Sequence, residues 1–339
     1  MAADSDVRGR ARSIGRILLW TIAGIAVLVA AMTLYSLVGY RRVRPVPLPG
    51  TQAVTDADVI ARGRYLVYGP GRCADCHVAD NARAALERGE DAPLTGGSGE
   101  HTFLGVWTAP NLTPDLVTGL GRVSDGQIAR MIRTGVNRDG RIALPFMDTA
   151  ADMTEADIIA IVSFLRSLPP APGVAPNAQV NLLGKVALTY FIGPYGPTMP
   201  IRSALTPEPT AAYGEYLART VAGCGACHTA RNLRTGAYLS PTFSGGLAFK
   251  SRLQPGYMYV SPNLTPDPAT GRITNWTEEF FIARFRAGAI IPDVPMPWPG
   301  FQHMTDDDLR ALYRFLRTLT PVIHDTGPSV QPLKGDAAG

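Results

Sequence analysis

Residues 17–40 read ILLWTIAGIAVLVAAMTLYSLVGY, 24 positions without a charge. At about 1.5 Å per residue, a helix of that length crosses a hydrocarbon core of about 30 Å with some tilt. A secretory signal would carry a shorter apolar stretch of about 7–15 residues and then a small-residue cleavage site. Here the run ends in Gly39-Tyr40-Arg41-Arg42, which predicts a retained anchor. Further along, the apolar positions become periodic. Ile158, Ile161, Val162 and Leu165 recur at helical spacing, and so do Leu309, Leu312, Tyr313 and Leu316. Thr154 with Asp157, and Thr305 with Asp308, open these two helices as capping signals, Asp standing in for the usual Glu of a capping box. Leu168-Pro169-Pro170 and Thr320-Pro321 end them. Two more helices are expected at about 56–68 and 208–221.

The pattern repeats itself. Gly63-Arg64-Tyr65-Leu66 returns as Gly214-Glu215-Tyr216-Leu217, PNLTPD at 110–115 returns letter for letter at 262–267, and Phe164-Leu165-Arg166-Ser167-Leu168 returns as Phe315-Leu316-Arg317-Thr318-Leu319. The offsets of 151, 152 and 151 residues keep one element order, the signature of a duplicated unit. Gly96-Gly97 and Gly245-Gly246 mark turns in the long loop of each copy. Between the copies, residues 182–195 (LLGKVALTYFIGPY) are apolar but too short to span a membrane, and they include Lys185. This stretch is expected to be a connector packed between the two units. An interfacial segment or a partner-docking surface is the sharper alternative. Residues 44–50, RPVPLPG, predict a stiff extended tether.

Composition changes little. The net charge of +4 is concentrated at the start: residues 1–44 hold seven arginines against Asp4 and Asp6, leaving −1 for the rest. The basic balance therefore flanks the membrane segment and gives no argument for nucleic acid. The 29 prolines favour loops and short helices over a sheet-rich core.

The chemistry lies in five residues that occur twice, Cys73-Ala74-Asp75-Cys76-His77 and Cys224-Gly225-Ala226-Cys227-His228, which together use all four cysteines. C-x-x-C-H is the attachment motif of c-type haem. Two thiols at that spacing can form thioethers to the two vinyl groups of one porphyrin, and the histidine that follows is then placed under the iron. Disulfides or a four-thiolate zinc site would not need a histidine after each pair. Two covalently bound haem c groups, each with its iron, are the expected cofactors, with His77 and His228 as proximal ligands.

A sixth ligand decides between carrier and enzyme, and methionine there suits electron transfer. Each copy offers two candidates, Met147 and Met153 in the first, Met296 and Met304 in the second. Met153 and Met304 stand just before the Thr caps, with Ile158 and Leu309 at the fourth helical position, the pattern of a hydrophobic staple. Met147 and Met296 lie in proline-bearing loops, 70 and 68 residues after their histidines, and are assigned as the distal ligands. His101, His303 and His324 are the rival donors and read as solvated or hydrogen-bonding residues. Asn111 and Asn263 suit either turn formation or a contact at the haem edge. Arg122 and Arg272 suit either solvent or a propionate.

On CADCH, CGACH, the paired PNLTPD loops, Val294-Pro295-Met296-Pro297-Trp298 and Met304-Thr305-Asp306-Asp307-Asp308-Leu309, the chain resembles class I c-type cytochromes. In particular it resembles the haem c subunits of membrane-bound periplasmic alcohol and gluconate dehydrogenases. The resemblance covers roughly 52–170 and 207–322. It implies small all-helical domains, the two proximal histidines, Met296 as a distal ligand, and electron transfer between a periplasmic donor and a membrane-side acceptor. Those subunits typically carry three haems against two here, and the first copy has Phe146-Met147-Asp148 in place of Met-Pro-Trp.

The expected architecture is all-α, with two tandem cytochrome c-like domains after one transmembrane helix. The boundaries are a cytoplasmic tail 1–16, an anchor 17–40, a tether 41–51, a first domain 52–175, a connector 176–206, a second domain 207–325 and a tail 326–339. Covalent haem attachment takes place on the outer face of a bacterial inner membrane. With four arginines before the anchor and three after it, the N-terminus is expected inside and both haem domains in the periplasm. The expected role is electron carriage between redox protein partners in a respiratory, photosynthetic or dehydrogenase complex, with no catalytic residue. A dihaem peroxidase would need an open iron and an acid–base residue above it, and no residue stands out as that group.

Overall fold

The computed structural model of the chain describes residues 2–143, 147–174, 178–232 and 238–333. It opens with α1 (Ala2–Gly39), which continues the apolar run back through the arginine-rich start. The stretch Ser13–Gly39 is long and apolar enough to cross a membrane, and none of it is buried by the rest of the chain along its most apolar window.

The first repeat contains α2 (Ala57–Tyr68), α3 (Cys73–His77), α4 (Arg83–Glu87), strands β1 (Gly99–Thr102) and β2 (Gly105–Thr108), α5 (Asp125–Thr134), and α6 (Glu155–Ser167). After it come β3 (Gln179–Val180) and α7 (Leu182–Tyr190). The second repeat holds α8 (Ala211–Tyr216), continued by a wider π turn over Leu217–Val221, and α9 (Cys224–Cys227). Strands β4 (Ala248–Lys250) and β5 (Tyr257–Val260), α10 (Glu278–Arg286), α11 (Trp298–Phe301), α12 (Asp306–Thr318) and β6 (Val330–Pro332) complete it.

The chain is helix-rich, as expected, but it is not all-α. Each long loop folds into an antiparallel hairpin, β1 on β2 and β4 on β5, and the segment after the closing helix adds a third strand, β3 on β2 and β6 on β5. These strands satisfy backbone groups of loops that would otherwise be left open beside the core.

Two glycines set how closely the helices pack. A Cβ on Gly63 of α2 would lie 1.9 Å from the Ala160 carbonyl oxygen of α6, and one on Gly214 of α8 would lie 1.9 Å from that of Ala311 on α12. Only hydrogen fits at either crossing. One buried cluster runs through both repeats, from Leu66, Ile158 and Ile161 to Leu217, Leu309 and Leu312.

The closing helices are capped by Thr154 and Thr305, whose hydroxyls accept the N–H of Asp157 and Asp308. The second half of the expected capping box is absent in its usual form. Thr154 N–H donates instead to Tyr216 Oη at 3.1 Å, and Thr305 N–H to Tyr65 Oη at 3.2 Å. An Asp side chain is one methylene shorter than Glu, and here both carboxylates turn to those tyrosines.

In the segment 182–195, the helix packs on α1 and on the first sheet. This helix, α7, lies against the C-terminal end of α1: Tyr190 Oη donates to Met32 O at 2.9 Å, and the Tyr35 and Tyr190 rings are 6.4 Å apart. Its apolar inner face, with Leu188 buried beside Leu104, finds partners there and on the first sheet.

Candidate haem-binding sites

Each motif begins at a left-handed residue, Arg72 at φ 60° and Gly223 at φ 61°. That turn starts a short helix, so the two cysteines of each pair sit one helical turn apart. None of the four cysteines is in a disulfide; Cys76 is exposed and the other three are half-buried. Burial pushes the Cys73 and Cys224 thiols up to about 12. Among the described residues no three His, Cys, Asp or Glu side chains converge as a metal cluster, so the zinc alternative lacks a ligand set.

The histidines share one arrangement. His77 is buried with Nδ1 2.8 Å from Pro110 O, and His228 is buried with Nδ1 3.1 Å from Pro262 O. A carbonyl can only accept, so Nδ1 carries the proton and Nε2 keeps its lone pair for a metal. Burial lowers both imidazole pKa values, against an opposing pull from the prolyl carbonyls. Both therefore stay neutral, the ligating form.

The repeated PNLTPD loop holds that carbonyl in place. Asn111 Oδ1 accepts Thr113 N–H at 2.8 Å, and its Nδ2 donates to Ala171 O at 2.8 Å and Thr118 Oγ1 at 3.0 Å. Asn263 matches it, with Thr265 N at 2.9 Å, Val322 O at 2.8 Å and Thr270 Oγ1 at 3.1 Å. Both amides are spent on the protein, in the turn role. Asp115 and Asp267 each accept from the N–H and hydroxyl of the threonine three residues on.

The Gly-Gly turns close the ring. Gly96 N–H donates to His77 O at 2.8 Å and Gly245 N–H to His228 O at 2.9 Å. At φ 72° and 75°, a Cβ on either glycine would strike the backbone at Pro110–Asn111 or Pro262. The roles of these glycines and prolyl carbonyls were readable in the sequence only as their repetition.

Met153 and Met304 are each 1% exposed, beside the fully buried Ile158 and Leu309, which fits the staple. Their carbonyls are clamped by Arg133 and Arg286 from the ends of α5 and α10. Met147 and Met296 are both half-buried. Met147 heads the 3-10 turn Asp148–Asp152, and Met296 packs on the central core. Residues 144–146, which lead into Met147, lie outside the described residues.

His101 and His303 are exposed, and His324 Nδ1 is 2.8 Å from Ser244 O. Arg122 and Arg272 are exposed, with Arg272 donating to Ser329.

The surroundings suit an anionic macrocycle. Four buried side-chain nitrogens among the described residues lack a hydrogen-bond partner, and two of them flank the motifs: Arg72 Nε before Cys73, which faces Asp75 at 3.6 Å, and Arg231 Nε after His228; a third, Trp298 Nε1, follows Met296. Buried donors without a hydrogen bond are rare and costly, and porphyrin carboxylates are acceptors of the right kind. The two unbridged cysteines and the oriented imidazole of each motif complete a donor set that fits haem c.

No family model matches the chain. It is 28% identical over 291 residues to the cytochrome c subunit of a quinone alcohol dehydrogenase from Gluconobacter oxydans, covering 80% of this chain and 58% of that protein. It is 27% identical over 278 residues to the gluconate 2-dehydrogenase cytochrome c subunit of Pantoea cypripedii, covering 77% and 59%. A diheme cytochrome c-type protein of Cereibacter sphaeroides is 27% identical over 274 residues, covering 76% and 84%. The chain thus spans a little under three-fifths of each of the first two relatives. At modest identity, but over most of its length, it is a relative of dehydrogenase cytochrome c subunits and of a dihaem c-type cytochrome.

Proposed function

We propose that this chain is a membrane-anchored dihaem c-type cytochrome that passes single electrons between a periplasmic donor and a membrane-side acceptor. The observation that carries this reading is the matched geometry of His77 and His228, each buried, neutral and oriented through Nδ1 by the first carbonyl of a PNLTPD loop. Cys73 and Cys76 would hold one haem and Cys224 and Cys227 the other, within two units at 52–175 and 207–325. Haem iron supplies a one-electron couple. The protein's part is to fix His77 and His228 on one side and offer Met147 and Met296 on the other. α1 would anchor the chain in a bacterial inner membrane with the N-terminus inside, and the cytochrome subunit names of its relatives favour a dehydrogenase complex as the setting.

The test is a redox titration of the purified full chain with optical detection, alongside a haem count per polypeptide. Two covalently bound low-spin haems are expected. One haem per chain, or a high-spin species that binds carbon monoxide in the folded protein, would overturn the assignment.

A further inference from the structure

The helix α7 carries an apolar face that no described part of the chain covers. Gly184, Leu188 and Thr189 are buried, against the first sheet on one side and the end of α1 on the other. On the opposite arc Leu182 and Leu183 are exposed and Val186 is half-buried. At helical spacing these three fall on one stripe of the outward surface, and Tyr190, 36% exposed, stands at its edge against α1. Phe191, 80% exposed, continues it, and Asn181 ties it to the hairpin tip where Phe103 is also exposed. The one charge of the helix, Lys185, is turned away from the stripe, with its Nζ 5.5 Å from the Tyr40 ring centre.

What covers this stripe follows from its height along α1. Arg16 is the last charge before the apolar run. About 20 helical residues cross the hydrocarbon, so a span beginning after Arg16 reaches Ser36. Met32 then lies inside the apolar layer, and Tyr190 hydrogen-bonds its carbonyl at 2.9 Å. The end of α7 is therefore level with the outer leaflet, where Tyr is favoured and exposed Leu and Phe are not exposed to water. The position is fixed from the other side too: Arg44, just beyond the span, donates to Leu188 O at 3.1 Å, and its N–H to Gly140 O at 2.7 Å.

Resting on the anchored reading of α1, we infer that α7 and Phe191 are a monotopic platform seated in the outer leaflet of the bilayer. A single anchor on a proline tether would let the haem units swing. A second contact, rigidly joined to the first sheet through Asn181 and β3, holds them at one tilt and height.

The experiment uses the full chain in vesicles of phosphatidylethanolamine and phosphatidylglycerol. Leu183→Cys, Phe191→Cys, Leu28→Cys and Val117→Cys are compared for reaction with a charged, membrane-impermeant maleimide, with the labelled peptide identified by mass spectrometry. Separately, an apolar photoactivated carbene dissolved in the lipid is applied to the unaltered chain. The expected result is that Leu183→Cys and Phe191→Cys react about tenfold or more slowly than exposed Val117→Cys, and that the carbene marks the 182–191 peptide, as partition into the interface requires. Reaction at the Val117→Cys rate would overturn the platform, leaving the stripe in water. Slow maleimide reaction without carbene marking would overturn it in favour of a covering protein. If Leu28→Cys itself reacts quickly, it is the anchor that has failed; the platform fails alone only when Leu28→Cys is protected.

Discussion

Tyr65 donates its hydroxyl proton to Asp308 Oδ2 at 2.5 Å and accepts the N–H of Thr305 at 3.2 Å, across 243 residues of sequence. At an offset of 151, Tyr216 does the same to Asp157 Oδ2 at 2.6 Å and to the Thr154 N–H at 3.1 Å. Each tyrosine thus inserts one hydroxyl into the capping box of the other repeat's last helix. The repeats are joined by an exchanged pair of identical contacts, the pattern of an isologous interface. Near its centre the symmetry breaks: Arg62 and its counterpart Tyr213 meet at 3.0 Å, and Arg62 also binds Asp157 at 2.9 Å.

The first prediction concerns this joint. Tyr65→Phe or Tyr216→Phe leaves a buried carboxylate and a helix N-terminal N–H without their shared partner. Each should cost about 1–3 kcal/mol, and the double variant should split denaturant unfolding into two transitions as the repeats uncouple. A single transition with unchanged midpoint would show that the hydroxyls do not couple them.

The same tyrosines predict an alkaline limit. Burial first, then the neighbouring Asp charge, raises the Tyr65 and Tyr216 pKa values well above 10. A folded-state pKa above the unfolded one means that the folded chain holds its proton longer. The stabilisation is complete below about pH 10 and falls as pH rises through the folded value, by about 1.4 kcal/mol per unit and per tyrosine. Stability measured from pH 9 to 12 should fall steeply in the wild type and less steeply in the two Phe variants. Ultraviolet titration should show Tyr65 and Tyr216 among the tyrosines that ionise only with unfolding.

Gly63→Ala and Gly214→Ala should each destabilise by roughly 1–3 kcal/mol or more, because a carbonyl oxygen already occupies the Cβ position. Gly99→Ala, where nothing lies within 4 Å, is the control. Thermal melting of the three variants decides it.

The repeat offsets, the two motifs and both closing helices with their Thr caps were legible in the sequence, because each rests on local spacing. The capping partners were not. An Asp three residues after a Thr looks like a local box, and nothing near it in the chain points to a tyrosine 59 or 243 residues away. The sheets were hidden for a related reason. Their third strands are two and three residues long and arrive from beyond the closing helix, although Tyr257-Met258-Tyr259-Val260 carries a strand-like composition. The stretch 182–195 was recognisable as apolar, but its partner, the end of α1, lies some 150 residues earlier in the chain.

Arg72 gives a fourth prediction. It holds φ 60° where its counterpart is Gly223, a conformation that costs a non-glycine residue on the order of 1 kcal/mol. Its guanidinium reaches Ala222 O at 3.4 Å, just before the second motif, with Asp75 at 3.6 Å. Arg72→Gly should keep the fold, since the backbone strain it relieves offsets a long hydrogen bond. Removing the positive charge should lower the potential of the haem proposed at Cys224 and Cys227. An unchanged potential in the redox titration would mean that Asp75 already neutralises the guanidinium there.

The methionines separate by what each loss would change. Met153 and Met304 are buried in the core at 1% exposure, so Met153→Ala or Met304→Ala should cost about 2–5 kcal/mol through the cavity left behind. The thioether-to-iron absorption at the red end of the oxidised spectrum should remain. Met147→Ala and Met296→Ala should do the reverse: a smaller loss of stability from half-buried positions, and the loss of that band at one haem each. A potential falling with the band would confirm that the protein closes each iron with sulfur, because thioether ligation favours the reduced state. If Met304→Ala removed the band and Met296→Ala left it, the staple and the ligand would have to exchange places in the second repeat.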